Sequence, residues 1–237
     1  MSYIFKDQEY TNIFTLAKVI YQNIDEFDNL LRSDKSLLQF IKDEDEEKYN
    51  KISKLLLLTY PVDVFIFQIS YILNPYMPFR IRNKEFSSYQ ELGKKMLFSS
   101  PNVDPLLFQL VQYNLISFHM EVSTYNLNNN EIYEEVKEIE RLSDKQYVYF
   151  KLAYYLSKED IIIFDRKEYK DIYNFCYFII KKSKDLNSLG NSLSNASFLN
   201  AYKDYSKNSK EVSEYLHICS ELEKNERKLN EFLQKKG

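Results

Sequence analysis

Three stretches of this chain follow one pattern: a short apolar run, a polar corner, an acidic–aromatic pair and then a helix start. They are Ile4-Phe5-Lys6-Asp7-Gln8-Glu9-Tyr10-Thr11-Asn12, Arg80-Ile81-Arg82-Asn83-Lys84-Glu85-Phe86-Ser87-Ser88 and Ile163-Phe164-Asp165-Arg166-Lys167-Glu168-Tyr169-Lys170-Asp171. Glu9, Glu85 and Glu168 coincide, as do Tyr10, Phe86 and Tyr169. Recurrence at this spacing is the mark of repeated supersecondary units, each burying its apolar face against the next.

The residues that follow stay in register without gaps. Leu16, Leu92 and Phe175 share a column, and Ile20, Met96 and Ile179 share another four residues on. Beside the first column stand small residues, Ala17, Gly93 and Cys176. Large, small and large at i, i+1 and i+4 describe a helix whose buried face admits a close neighbour. A mid-helix glycine costs about 1 kcal/mol relative to alanine, and close packing gives Gly93 a reason to be there. A second block agrees: Phe67-Gln68-Ile69-Ser70-Tyr71-Ile72-Leu73 aligns on Phe150-Lys151-Leu152-Ala153-Tyr154-Tyr155-Leu156, with the shift that carries the second motif onto the third.

The opening segments alternate apolar and polar over too few residues for a helix, as in Phe79-Arg80-Ile81-Arg82, and are expected to be short hairpin arms. Ser88-Tyr89-Gln90-Glu91 has capping-box form, and Thr11 or Asn12 and Asp171 are the expected caps in the other units. Apolar spacing predicts helices over Asp25–Leu31, Lys35–Ile41, Glu46–Leu58 and Val62–Leu73 in the first unit. The second unit is expected to hold helices over Pro105–Met120, Ile132–Leu142 and Tyr147–Leu156. In the third, a less regular stretch over Leu186–Tyr202 precedes a last helix over Glu211–Gln234, with no counterpart of the Phe67–Leu73 helix. Asn128-Asn129-Asn130 marks a loop.

The expected fold is therefore all-α with three short β arms: one helical domain over residues 1–237, built as a repeat-like array of units at about 1–75, 76–158 and 159–237 sharing one continuous core, the last truncated and capping. Composition agrees. Only 3 Gly and 5 Pro in 237 residues argue against a turn-rich β fold, and 44% apolar with 28% charged residues fits a folded chain. The 21 Tyr and 17 Phe without Trp could serve as stacking surfaces for bases or sugars, but A/T-rich codon usage accounts for them more simply.

Leu55–Leu73 is nearly apolar over roughly the ~20 residues that a bilayer requires. Pro61, Asp63 and Gln68 interrupt it, so two packed helices are expected and no membrane span. The N-terminus lacks a basic region followed by an apolar one, as a signal peptide would have, so the sequon Asn195-Ala196-Ser197 is expected to be idle. Cys176 and Cys219 sit in apolar helical surroundings, as reduced buried thiols in a cytoplasmic protein would.

No chemistry stands out. His119 and His217 have no second histidine or suitably spaced cysteine, and are expected to be ordinary helix residues rather than metal ligands. Three glycines cannot form a phosphate-binding loop, and no Gly-x-Ser-x-Gly elbow occurs. No catalytic, cofactor or metal residue is assigned, no cofactor is expected, and the chain is read as not an enzyme. Asp43-Glu44-Asp45-Glu46-Glu47 could chelate a cation or dock a basic partner, though a solvated helix start explains it more simply. Glu9, Glu85 and Glu168 are expected to serve turn geometry or to bridge a neighbouring cation. Arg80, Arg82 and Lys84 cluster on the second arm and form the one local candidate for an anion or nucleic-acid contact, against a net charge of −3.

The leading expectation is a non-enzymatic protein–protein interaction module, an adaptor or regulatory subunit. Nucleic-acid binding near Arg80 and Arg82 is the alternative, and a phage or host-directed inhibitor a further one. Partner, pathway and oligomeric state are not legible.

Overall fold

The computed structural model describes residues 2–123, 130–164, 167–182, 196–220 and 234. It is mostly α-helical, with thirteen helices and three two-stranded antiparallel hairpins among the described residues. The chain separates into two compact units, one of residues 1–87 and 105–141 and the other of residues 88–104 and 142–237.

The first unit contains hairpin β1 (Tyr3–Phe5) and β2 (Gln8–Tyr10), helices α1 (Ile13–Gln22), α2 (Ile24–Ser33), α3 (Lys35–Glu44), α4 (Glu46–Leu56) and α5 (Val62–Leu73), and hairpin β3 (Arg80–Ile81) and β4 (Lys84–Glu85). The chain leaves through α6 (Tyr89–Leu97) and returns as α7 (Pro105–Gln112), α8 (Leu115–Val122) and α9 (Asn130–Glu140). Every residue of α5 from Val64 to Leu73 is buried. It packs against α1, α2, α4, α7 and α8, which is why the segment is apolar all round without spanning a bilayer. No helix is long and apolar enough to cross a membrane among the described residues.

The second unit pairs α6 with α10 (Lys145–Ser157) and adds hairpin β5 (Ile162–Phe164) and β6 (Lys167–Tyr169) and helices α11 (Ile172–Lys182), α12 (Ser197–Tyr205) and α13 (Ser209–Ser220). Gly93 lies against the end of α10. A Cβ built there would stand 2.4 Å from the Ser157 amide nitrogen and 2.7 Å from Leu156 Cβ, so only glycine fits between these backbones.

All three hairpins form where alternation predicts them, in one register. Ile4 faces Glu9, Arg80 faces Glu85 and Ile163 faces Glu168. Tyr10, Phe86 and Tyr169 are buried one residue later. The next helices are capped alike: the side chains of Asn12, Ser88 and Asp171 accept the backbone N–H three residues on, at 2.9, 3.2 and 2.8 Å. The first hairpin turn uses no glycine. Lys6 and Asp7 both take positive φ, 49° and 61°, as the tight turn between right-twisted strands demands.

Further elements coincide at a shift of 83 residues: the starts of α5 and α10 (Val62, Lys145), those of α6 and α11 (Tyr89, Ile172), and the ends of α8 and α12 (Val122, Tyr205). Ser123 and Ser206 follow as matching caps, donating their N–H to His119 and Tyr202 carbonyls at 2.8 and 2.7 Å.

Two elements depart from the pattern reading. The helix expected over Pro105–Met120 is two, broken where Asn114 turns left-handed (φ 54°). The stretch expected to be irregular up to Tyr202 is helical from Ser197, because Leu199, Ala201 and Tyr202 bury beside α10. Of the expected loop at Asn128-Asn129-Asn130, Asn130 instead begins α9. Asn128 and Asn129, the segment from Leu186 through Asn195 with Gly190 and the sequon asparagine, the last helix beyond Ser220 except Gln234 and the Cys219 side chain lie outside the described residues.

Candidate functional site

In the first unit, α4, the end of α5 and the end of α8 enclose a cleft of ≈ 320 Å³. Each wall follows from local rules. Asp45 begins α4 because its carboxylate accepts the Lys48 N–H at 3.0 Å, and this hydrogen bond holds the Asp45 carboxyl below its ordinary range. That places Glu47, Lys48 and Lys51 one turn in, along the cleft wall. Helix α5 stops at Asn74 ahead of Pro75, and α8 stops at Ser123, whose hydroxyl donates to the Pro75 carbonyl at 3.1 Å. This bond ties the two C-terminal ends together, with Ile72, Glu121 and Val122 facing the opening.

The charges in the cleft are partly matched. Lys48 Nζ lies 3.4 Å from Asp45, donates to the Leu73 carbonyl at 3.3 Å and sits 4.6 Å above the Phe14 ring. Lys51 pairs with Glu47 at 2.7 Å. Glu121 accepts from the Tyr133 hydroxyl at 3.4 Å, and Lys137 Nζ donates to the same hydroxyl at 3.0 Å. Phe14 and Tyr76 carry an exposed aromatic pair at the rim, 5.9 Å between ring centres, with Tyr76 62% exposed.

Beneath the cleft lies an aromatic box. His119 is 2% exposed and stands perpendicular to Tyr71 at 4.4 Å and to Phe79 at 4.9 Å. Burial lowers its pKa to about 4, so the ring is neutral at pH 7. His119 thus packs in the core, and no group of three or more His, Cys, Asp or Glu is disposed to hold a metal ion among the described residues.

The second unit carries other side chains at the matching positions. Tyr154 and Tyr202 stand where Tyr71 and His119 do, 5.5 Å apart. Tyr205 stands where Val122 does and stacks on Tyr154 at 5.7 Å with 19° between planes. Asp204, in the place of Glu121, accepts from the Tyr147 hydroxyl.

Arg80, Arg82 and Lys84 each have a partner within the first unit. Arg80 bonds Glu85 across the hairpin at 3.0 Å, Arg82 grips Asp63 with two bonds of 2.8 Å, and Lys84 lies 4.7 Å over Phe86. The backbone of β3 is clamped as well. Tyr71 OH donates to Pro78 O and accepts from Arg80 N at 2.8 and 2.9 Å, while Tyr21 OH donates to Arg80 O and accepts from Arg82 N at 2.7 and 3.2 Å. These hydroxyls occupy groups that an added strand would need.

Glu85 bridges a cation, whereas Glu9 and Glu168 lie exposed on their strands. Within the acidic run, Asp43, Glu44 and Glu46 are exposed, while Asp45 and Glu47 line the cleft. Cys176 is buried. Sequence reasoning missed Phe14, Tyr76, Glu121 and Val122, because they meet only through the packing of α1, α5 and α8.

The chain matches no protein-family model, no curated protein and no solved structure.

Proposed function

We propose that this protein is a non-enzymatic interaction module, an adaptor or regulatory subunit, whose first unit receives a segment of a protein partner in the cleft between α4, α5 and α8. One observation carries the reading. At the position where the second unit seats the Tyr205 ring on Tyr154, the first unit has Val122 and an open cleft with an exposed aromatic pair at its rim. Aromatic side chains at the edge of a recess are a recurring feature of binding surfaces. The shared hairpin register, caps and shift of 83 residues further support reading the chain as consecutive units of one module, an architecture suited to presenting recesses.

A photo-crosslinking amino acid replacing Tyr76, expressed in the native host, tests the proposal. A discrete adduct is expected, and the added substitution Val122→Tyr, which fills the cleft as Tyr205 fills the matching place, should abolish it. An adduct of unchanged yield in the filled variant, or none above background, would remove the case for this cleft.

A further inference from the structure

Resting on that reading, we infer that the segment received in the cleft brings an aromatic side chain, a tyrosine or phenylalanine of the partner, into the space beside Val122. The chain itself supplies the template. Under the shift of 83 residues Val122 matches Tyr205, and each closes a helix that ends at a serine cap, Ser123 or Ser206. The inner contacts beneath match as well, Tyr71 against His119 in one unit and Tyr154 against Tyr202 in the other. At this position the second unit carries a ring, stacked on Tyr154 at 5.7 Å. The first carries the small side chain of Val122 beside a cleft of ≈ 320 Å³.

The lining favours the same occupant. Each charged group in the cleft is matched within the chain: Asp45 by Lys48 at 3.4 Å, Glu47 by Lys51 at 2.7 Å, and Glu121 by the Tyr133 hydroxyl that Lys137 also bonds. What the lining offers a newcomer is therefore apolar surface, on Ile72, Pro75 and Val122. Tyr71 is sealed by its own neighbours at 0% exposure, so the incoming ring lies on those three side chains and not on the Tyr71 face. Aromatic side chains cover a large area with few rotatable bonds, which is why they anchor short segments in recesses. The residues flanking the ring would cross the rim, where Phe14 lies 4.6 Å beneath Lys48 Nζ and pairs with Tyr76.

The probe is a library of short random peptides displayed on phage, selected on the full chain and counter-selected on Val122→Tyr, which places a ring in the cleft from within. Clones that need an open cleft should share an aromatic residue at one position. A synthetic peptide taken from them should lose on the order of tenfold or more in affinity when that residue becomes leucine. It should also move the methyl resonances of Ile72 and Val122 upfield through its ring current, a shift read on the unaltered chain and independent of how the variant folds. Cleft-dependent clones that share a charged or aliphatic residue instead, a peptide that binds equally well with leucine, or no clone that tells the two proteins apart would each overturn the inference. If it falls in this way while the Tyr76 adduct still depends on an open cleft, the aromatic assignment is wrong and the docking role stands. Loss of the adduct as well would remove both.

Discussion

The pair α5–α8 in the first unit and the pair α10–α12 in the second match in where α5 and α10 begin, in where α8 and α12 end at a serine cap and in the placement of one inner ring contact, yet differ in what lies above it. In the first, His119 fits under Tyr71 and the surface above stays open beside Val122. In the second, Tyr202 takes the inner position and Tyr205 covers Tyr154. At matching positions, then, one helix end carries Val122 beside a cleft and the other carries Tyr205 stacked on Tyr154.

That contrast can be tested at several points. The largest effect is expected at the helix contact where the units diverge most sharply in tolerance. Gly93→Ala should destabilise the second unit by about 3 kcal/mol, since the added methyl meets the Ser157 backbone and not a movable side chain. The reverse change in the first unit, Ala17→Gly, should cost only about 1 kcal/mol. Urea melts with unit-resolved hydrogen exchange would check both, and a mild Gly93→Ala would remove the claim that α6 and α10 touch directly.

Acid should separate the units next. His119 takes a proton near pH 4 when folded and near 6.5 when unfolded, so the unfolded chain binds it first as pH falls. Stability from this group is level above about pH 6.5 and declines toward pH 4, by about 2 kcal/mol at pH 5. Tyr202, at the matching position, has its pKa pushed up to about 12 by burial and contributes nothing in that window. Amides of the first unit should therefore lose protection first, and His119→Gln should flatten that pH dependence. An unchanged slope in the variant would assign the acid sensitivity elsewhere.

The reciprocal swap comes third. Tyr205→Val should cost about 1.5 kcal/mol by removing a stacked ring, while Val122→Tyr should change stability by less than about 1 kcal/mol. A large loss for Val122→Tyr would mean that the two helix ends are not interchangeable. The smallest effects belong to the hairpins. Asp7→Gly should stabilise by about 1 kcal/mol by relieving a left-handed residue, and Arg82→Ala should cost under about 1 kcal/mol because its pair with Asp63 is half-exposed.

Local chemistry made much of the fold legible. Alternation over Phe79–Arg82 announced a hairpin, Pro61 and Pro75 bracketed α5, and Asn12, Ser88 and Asp171 marked helix starts that the structure caps with those side chains. The break at Asn114 was not legible, because apolar residues recur on both sides of it through Pro105–Met120 and one left-handed asparagine leaves no periodic trace. Nor did the Lys6–Asp7 turn carry the Asn-Gly or Asp-Gly pair that usually marks its geometry. The cleft was half visible: the acidic run contained Asp45 and Glu47. Glu121 and Val122 lie more than seventy residues further along the chain, and only the seating of α8 on α5 brings them to the same recess.

Gly93 has a mechanical consequence. With no side chain interposed, peptide groups of α6 rest on those of α10, and backbone atoms cannot yield by changing rotamer as a leucine or methionine would. Sliding one helix along the other would drive Cα into the Ser157 amide, so this contact works as a stop. The slowest-exchanging amides of the second unit are expected on either side of it.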